Sequence, residues 1–405
     1  MIVAGSFPMS TTGSTSASVR LASLDAFRGL TMLYMASEIW RISAVARMFP
    51  DSAVWQFIAY HTSHAAWTGG SAWDMIQPSF MFMVGVALPW SVANRRARGQ
   101  GLKDLWAHAL WRSLILVSLG IFLRSVSRPM TNFTFEDVLT QIGLGYPFLF
   151  FLAWKRPRVQ AIAAALILVG YWAAFALYPA PGPDFDFARV GVPPDWPHHL
   201  KGFAAHWDKN SNFGAAVDTW FMNLFPRQKP FVFNGGGYLT PNFIPSLATM
   251  IFGLLAGGLL KSERSWREKL RLLLGAGLAG IVVGWLLGVS GICPVVKRIW
   301  TPSWALLSSG WVLVLLAGFY WLIDVKGKVN WSYGLRAVGM NSIAMYTMTH
   351  LWDSFLASSF KVHLGWNVLS ALPEPVLTTA VYFLAWCVLW WFCIWMDRKR
   401  LYIRI

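Results

Sequence analysis

Apolar stretches of about twenty residues, separated by short polar connections, recur along nearly the whole chain. A helix of about 20 residues crosses a hydrocarbon core of about 30 Å, so each stretch reads as a membrane span. Ten spans are expected, at about 23–45, 72–92, 106–127, 136–154, 157–178, 241–260, 268–290, 302–323, 333–356 and 374–396. One long connection, 179–240, interrupts the series. Pro179, Pro181, Pro183, Pro193, Pro194 and Pro197, with Gly235-Gly-Gly237, predict irregular backbone over much of it, as a lid or rim. The expected fold is an all-α polytopic integral membrane protein: one transmembrane domain over 21–405 behind a disordered polar tail at 1–20.

Composition supports this and removes the soluble classes. The chain is 56% hydrophobic and 13% charged, with a mean hydropathy of +0.47, outside the range of a globular domain in water. A net charge of +16 would suggest nucleic acid in a soluble protein, but most of the 34 basic residues fall in alternate connections. Such asymmetry marks the cytoplasmic side, so both termini are expected inside and 179–240 outside. Lys297-Arg298, on the expected outer side, runs against the rule. The first twenty residues lack a signal peptide's basic start and cleavage site. Cys293, Cys387 and Cys393 share no metal-ligand spacing and read as packing residues, and no metal is expected. His198, His199 and His206 of the long loop read as solvated histidines; Trp196, Trp207 and Trp220 suit either a membrane interface or a sugar ring.

Polar residues inside apolar segments carry the chemistry, because ionisable groups at membrane depth are costly. His64 and Asp74 flank the mouth of the second span, with Trp67 and Trp73 beside them. Gly69-Gly70 breaks any helix between the two, so a ten-residue offset does not by itself join them. If they meet, Asp74 fixes the imidazole tautomer and leaves the other nitrogen as a base; otherwise His64 is interfacial and Asp74 caps a helix. In the ninth span Ser342, Tyr346, His350 and Asp353 share one face, with Asn341 and Thr349 beside it, and line a cavity or a helix partner. Asp25 and Arg28 open the first span one turn apart and either pair with each other or hold an anion, while Glu38 lies further in. Asp137 and Gln141 give the fourth span a polar face.

These residues fall in blocks that resemble a known family. Leu24-Asp-Ala-Phe-Arg-Gly29 resembles the first-helix signature of the transmembrane acyltransferases, and His64-Ala-Ala-Trp-Thr-Gly69 through Asp74 resembles the active-site segment of heparan-α-glucosaminide N-acetyltransferase and its bacterial relatives. Further blocks agree in order: Phe243-Ile-Pro-Ser-Leu-Ala-Thr249 with Gly253-Leu-Leu-Ala-Gly257, Lys297-Arg-Ile-Trp-Thr301, Trp321-Leu-Ile-Asp-Val-Lys-Gly327, and Gly339-Met-Asn-Ser-Ile343 leading to His350. The chain departs from the family at Ser37-Glu38-Ile39, where an asparagine is frequent, at Thr140-Gln141, where a Gln-Arg pair is frequent, and at Gln77. The lumenal domain of the human-type protein is not expected.

The resemblance implies a membrane enzyme that moves an acetyl group from cytoplasmic acetyl-CoA to an amino sugar or related glycan acceptor on the other face. It makes His64 and Asp74 the catalytic pair, with His64 as general base or acyl carrier. Arg28, Asp25 and Gln141 become the expected donor contacts, and Trp67, Glu38, Asn341, Tyr346 and His350 the expected lining of the acceptor site. The implied partners are acetyl-CoA, the acceptor and the lipid bilayer, with no nucleic acid and with a homodimer left open. The implied location is the cell membrane, a bacterial inner membrane or, in a eukaryote, the lysosomal membrane. O-acylation of a surface polysaccharide and transport of a sugar or anion remain alternatives, although no inverted repeat favours the transporter.

Overall fold

The computed structural model describes residues 21–364 and 371–403; the expected tail at 1–20 and Arg404 lie outside the described residues. Among the described residues, thirteen α-helices have eight residues or more: α1 Ala22–Ala36, α2 Ala53–His61, α3 Ile76–Ala97, α4 Leu102–Ser125, α5 Val138–Leu152, α6 Pro157–Ala176, α7 Phe213–Phe221, α8 Phe243–Lys261, α9 Trp266–Val289, α10 Pro302–Phe319, α11 Tyr333–Met340, α12 Ser342–His363 and α13 Glu374–Arg398. Among the described residues there is no β-sheet, only isolated bridges joining Thr68 and Gly69 to Val296. The all-helical expectation holds.

Seven of the ten expected spans are helices long and apolar enough to cross a membrane. The fourth, α5, has 15 residues. The first and ninth are interrupted, which corrects two of the expected continuous spans. α1 stops at Ala36 and gives way to a 3-10 turn over Ser37–Trp40, then to left-handed Arg41 at φ 52°. Ser37 Oγ donates to the Tyr34 carbonyl at 2.6 Å, a local bond that competes with the helix ladder. The ninth breaks at Asn341 (φ −117°, ψ 32°), whose side chain accepts from the Ile403 amide at 3.3 Å. Both breaks carry polar groups to the interior, where irregular backbone is tolerated because a cavity adjoins it.

α3 packs along α8, and α1 along α11, with backbones nearly in contact. A Cβ on Gly253 would lie 1.9 Å from the Phe82 carbonyl oxygen, and one on Gly29 would lie 1.8 Å from that of Leu335. Only glycine fits such approaches, the small-residue packing that joins helices in lipid. The rim is different. α9 turns Leu278, Val282, Trp285, Leu286 and Val289 outward, the apolar surface that suits hydrocarbon. Asp324, beyond α10, accepts from the Ala22 and Ser23 amides at 3.1 and 3.4 Å and so caps the start of α1.

Loop 179–240 is more ordered than its prolines suggest. It holds α7 and a 3-10 turn at Gly202–Trp207, and Trp207 is buried with Trp67, Tyr171, Phe175, Leu239, Val296 and Ile299. His199 pairs with Asp208 at 2.9 Å and His206 faces the Tyr178 carbonyl at 2.7 Å, so these two are structural rather than solvated.

Candidate functional site

His64 and Asp74 are brought together. Nδ1 of His64 lies 2.7 Å from Oδ1 of Asp74, whose side chain is 1% exposed against 34% for His64. The other carboxylate oxygen accepts from the Ala65 amide at 3.1 Å, the Ser71 amide at 3.0 Å and Ser71 Oγ at 3.2 Å. Segment 64–74 therefore folds around its own aspartate, and the two glycines that weakened the sequence inference make the fold possible. Gly69 turns at φ +94°, and a Cβ on Gly70 would lie 2.5 Å from the Trp304 ring. The Gly69 amide donates to the Val295 carbonyl at 2.8 Å, pinning the loop to segment 293–301. His61 supports it from below, accepting from the Ala72 amide at 3.1 Å, while the Tyr34 hydroxyl donates to the His61 carbonyl.

Nε2 of His64 has no protein partner among the described residues, and the ring borders two spaces that share Glu38, Trp73 and His350 as lining. An outer vestibule of about 760 Å³ is lined by Glu38, Thr62, His64, Trp73, His350 and Asp353 among others. A deeper chamber of about 440 Å³ adds Arg124, Glu136, Tyr238, Lys297, Arg298 and Tyr346. Burial holds the His64 pKa below the usual imidazole range, a push that the hydrogen bond to Asp74 partly offsets and that Lys297 reinforces. The ring is therefore neutral at neutral pH, with Asp74 accepting from Nδ1–H and Nε2 free to take a proton.

A third cavity, of about 370 Å³, lies behind the chamber. Arg28, Arg95, Arg98, His108 and Arg112 line it, with Met32, Phe80, Val84 and Leu116 supplying apolar wall. Gln77 borders the chamber and Phe80, one turn along α3, borders this cavity. Tyr346 and Val138 line both, so they form the partition. Arg95 and Ile76 are 19 residues apart on α3, which at 1.5 Å per residue spans about 30 Å, the thickness of a bilayer core. The linings of the histidine chamber and the basic cavity thus reach opposite ends of α3.

The expected site residues divide. Glu38, Tyr346 and His350 border the chamber, and Tyr346 stacks on His350 with ring centroids 4.4 Å apart. Arg28 borders the basic cavity, and its partner Asp25, at 3.6 Å, lines a smaller adjoining space. Three residues sit elsewhere. Trp67 is buried under the long loop, donating to the Trp207 carbonyl at 3.1 Å, so it braces the His64 segment rather than lining the chamber. Gln141 donates to the Phe135 and Thr240 carbonyls at 2.6 and 3.1 Å, away from the basic cavity. Asn341 is fully buried at the helix break. Asp137 caps α5 by accepting from the Leu139 and Thr140 amides.

The sequence reading passed over Lys297, Arg298, Tyr238, Arg124 and Glu136 at the chamber and Arg95, Arg98, His108 and Arg112 at the basic cavity. One signal was present: Lys297-Arg298 broke the charge asymmetry. Both belong to the site. Arg298 donates to the Ala65 carbonyl at 3.2 Å and the Gly236 carbonyl at 2.8 Å, clamping the His64 segment to the long loop.

The fold and site together describe a polytopic helical membrane protein with a histidine–aspartate pair in one chamber and a cationic cavity behind it. No family model matches the chain. Two curated relatives match over 95% of it: the heparan-alpha-glucosaminide N-acetyltransferases of Homo sapiens, 22% identical over 421 residues, and of Mus musculus, 22% identical over 426. The chain is thus distantly similar to the heparan-alpha-glucosaminide N-acetyltransferases, in line with the ordered sequence blocks. It spans 60% of the length of these relatives.

Proposed function

We propose that the protein is a membrane acetyltransferase that takes an acetyl group from acetyl-CoA in the basic cavity and delivers it to an amino sugar or related glycan acceptor in the His64 chamber. The observation that carries this reading is the 2.7 Å contact between His64 and Asp74, which leaves Nε2 as a base facing the chamber. Phosphates of the donor suit Arg28, Arg95, Arg98 and Arg112, whose guanidinium groups bind anionic oxygens in pairs. The apolar wall suits the donor's thioester arm, which would reach the chamber past Tyr346 and Val138. On this reading the basic end faces the cytoplasm and loop 179–240 the opposite side. The names of the two relatives supply the acetyl group and the glucosaminide acceptor class.

Labelled acetyl-CoA, the purified protein and a panel of amino sugars and neutral sugars test the proposal. Label should move to an amino sugar in the wild type and not in His64→Ala. Transfer that survives the substitution would remove His64 as the base, and transfer to hydroxyl acceptors alone would make the enzyme an O-acyltransferase. Sidedness is tested with a membrane-impermeant thiol reagent on single cysteines at positions 98 and 210, where labelling from the same side would overturn the assigned topology.

A further inference from the structure

Lys297 is a buried cation that the base mechanism leaves unused. It is 5% exposed, yet its side chain lines the His64 chamber. Its one hydrogen bond among the described residues runs to the Tyr238 hydroxyl at 3.4 Å, and the ammonium lies over that ring at 4.7 Å. No carboxylate is within ion-pair distance among the described residues. A buried ammonium without an anionic contact is costly unless something else uses the charge. Its position is also fixed. Segment 293–301 is tied to the His64 loop through the Gly69 amide and the Thr68–Val296 bridge, and the Val296 amide donates to Thr301 Oγ1 at 2.9 Å. The same Tyr238 ring is 6.2 Å from the His64 ring in an edge-on arrangement.

The charged groups around Lys297 come from four elements: Asp74 at the head of α3, Glu38 after α1, Arg124 at the end of α4, and neighbouring Arg298. Asp74 is occupied by His64 and three loop donors, and Arg298 by two carbonyls. Lys297 is therefore a chamber cation that is tied to the His64 loop through segment 293–301 and keeps donors beyond its one long bond to Tyr238. We propose that Lys297 is the oxyanion-stabilising group of the acyl transfer beside His64, its ammonium donating to the thioester carbonyl oxygen as that oxygen becomes negatively charged. The inference rests on the acetyl-transfer reading.

In the step, the acceptor's amine nitrogen bonds to the carbonyl carbon while Nε2 of His64 takes one amine proton. The carbonyl π pair moves onto oxygen, facing Lys297. That pair then re-forms the double bond as carbon and sulfur separate, and the thiolate leaves with the proton from His64. Amine and thioester become amide and thiol, with no further reactant. Preorganised donors at such an oxygen contribute about 10²–10³ in kcat. Burial depresses the Lys297 pKa to about 8, so its charge is present at neutral pH and lost just above it.

The test compares the full-length wild type with Lys297→Met, Lys297→Arg and Tyr238→Phe in lipid nanodiscs, measuring kcat and KM with labelled acetyl-CoA and glucosamine between about pH 6 and 10. Lys297→Met is expected to lose about 10²–10³ in kcat with both KM values within about threefold. Wild-type kcat should fall on the alkaline side near pH 8. Lys297→Arg should keep part of the rate and lose that alkaline fall, because a guanidinium stays charged throughout. A purely structural lysine would not move the pH profile. A kcat within about fivefold of wild type in Lys297→Met, or an unchanged alkaline limb in Lys297→Arg, overturns the proposal. A raised acceptor KM at constant kcat also overturns it, by assigning Lys297 to substrate binding. Where thermal unfolding shows Lys297→Met misfolded, the Lys297→Arg profile decides. Rates that survive His64→Ala would sink the base reading alone, since an oxyanion forms whichever group takes the proton.

Discussion

Replacing Asp74 by asparagine changes one atom and separates orientation from packing. The carboxylate accepts from four donors: His64 Nδ1, two backbone amides and Ser71 Oγ. An asparagine has one accepting oxygen. The loop amides, at 3.0 and 3.1 Å, hold that oxygen, which turns the amide NH₂ toward His64. Nδ1 must then accept, the proton moves to Nε2, and the chamber nitrogen is no longer a base. General-base catalysis contributes about 10²–10⁴, so kcat should fall by that factor, equivalent to about 3–5 kcal/mol of barrier. Two backbone donors keep an acceptor, so the loss in stability should be the part due to charge, about 1–2 kcal/mol. The assay is acetyl transfer from labelled acetyl-CoA alongside thermal unfolding in detergent. A folded Asp74→Asn enzyme within about fivefold of wild-type kcat would refute the assignment of Asp74 as the tautomer-fixing group.

The remaining predictions concern pH, the basic cavity, packing and the long loop. Because burial lowers the His64 pKa, the ring stays neutral as acid is added, and on the proposed base role the acid limb of kcat/KM should lie below about pH 6.5, the unperturbed imidazole value; a limb above it would contradict the burial argument. Arg98→Gln should raise the acetyl-CoA KM about three- to tenfold at low salt and less at high salt, with kcat nearly unchanged, as read by initial rates over ionic strength. Gly253→Val places side-chain atoms inside the Phe82 backbone and should prevent recovery of a monodisperse protein, with inter-helix overpacking costing about 3 kcal/mol or more. Asp218, in α7, has its pKa raised to about 6, chiefly by burial, while the Thr240 amide donates to it at 2.9 Å. A folded-state pKa above the unfolded one means the protonated form is favoured in the fold. Stability is therefore full below about pH 4 and lost as pH rises through 6. About two units at about 1.4 kcal/mol each sets the scale, so Asp218→Asn should stabilise by about 1–3 kcal/mol at pH 8 and have little effect near pH 4, measured by chemical denaturation.

The chain's own pattern determined the class, most of the helices and the pair at the centre of the site. Long apolar runs leave the backbone one way to satisfy its polar groups in hydrocarbon, so span positions are readable from hydropathy alone. His64 and Asp74 stood out because an ionisable residue beside such a run is rare. Sequence could not decide their contact. Gly69 and Gly70 read as a break because local propensity carries no information about Trp304, more than 200 residues away, whose ring requires a glycine and folds the loop back. The same limit explains Trp67 and Gln141, whose types suit a site but whose partners, Trp207 and the carbonyls of 135 and 240, lie far along the chain. It explains the broken first and ninth spans, which apolar counting reads as continuous because a single 3-10 turn or one asparagine barely changes hydropathy. Lys297 is the clearest case. Composition recorded it as a charge on the wrong side of a topology rule, and only the packing of segment 293–301 against the His64 loop turned it toward the chamber. Local chemistry is written in the order of residues, whereas the convergence of distant segments on one cavity is a product of long-range packing that no local pattern encodes.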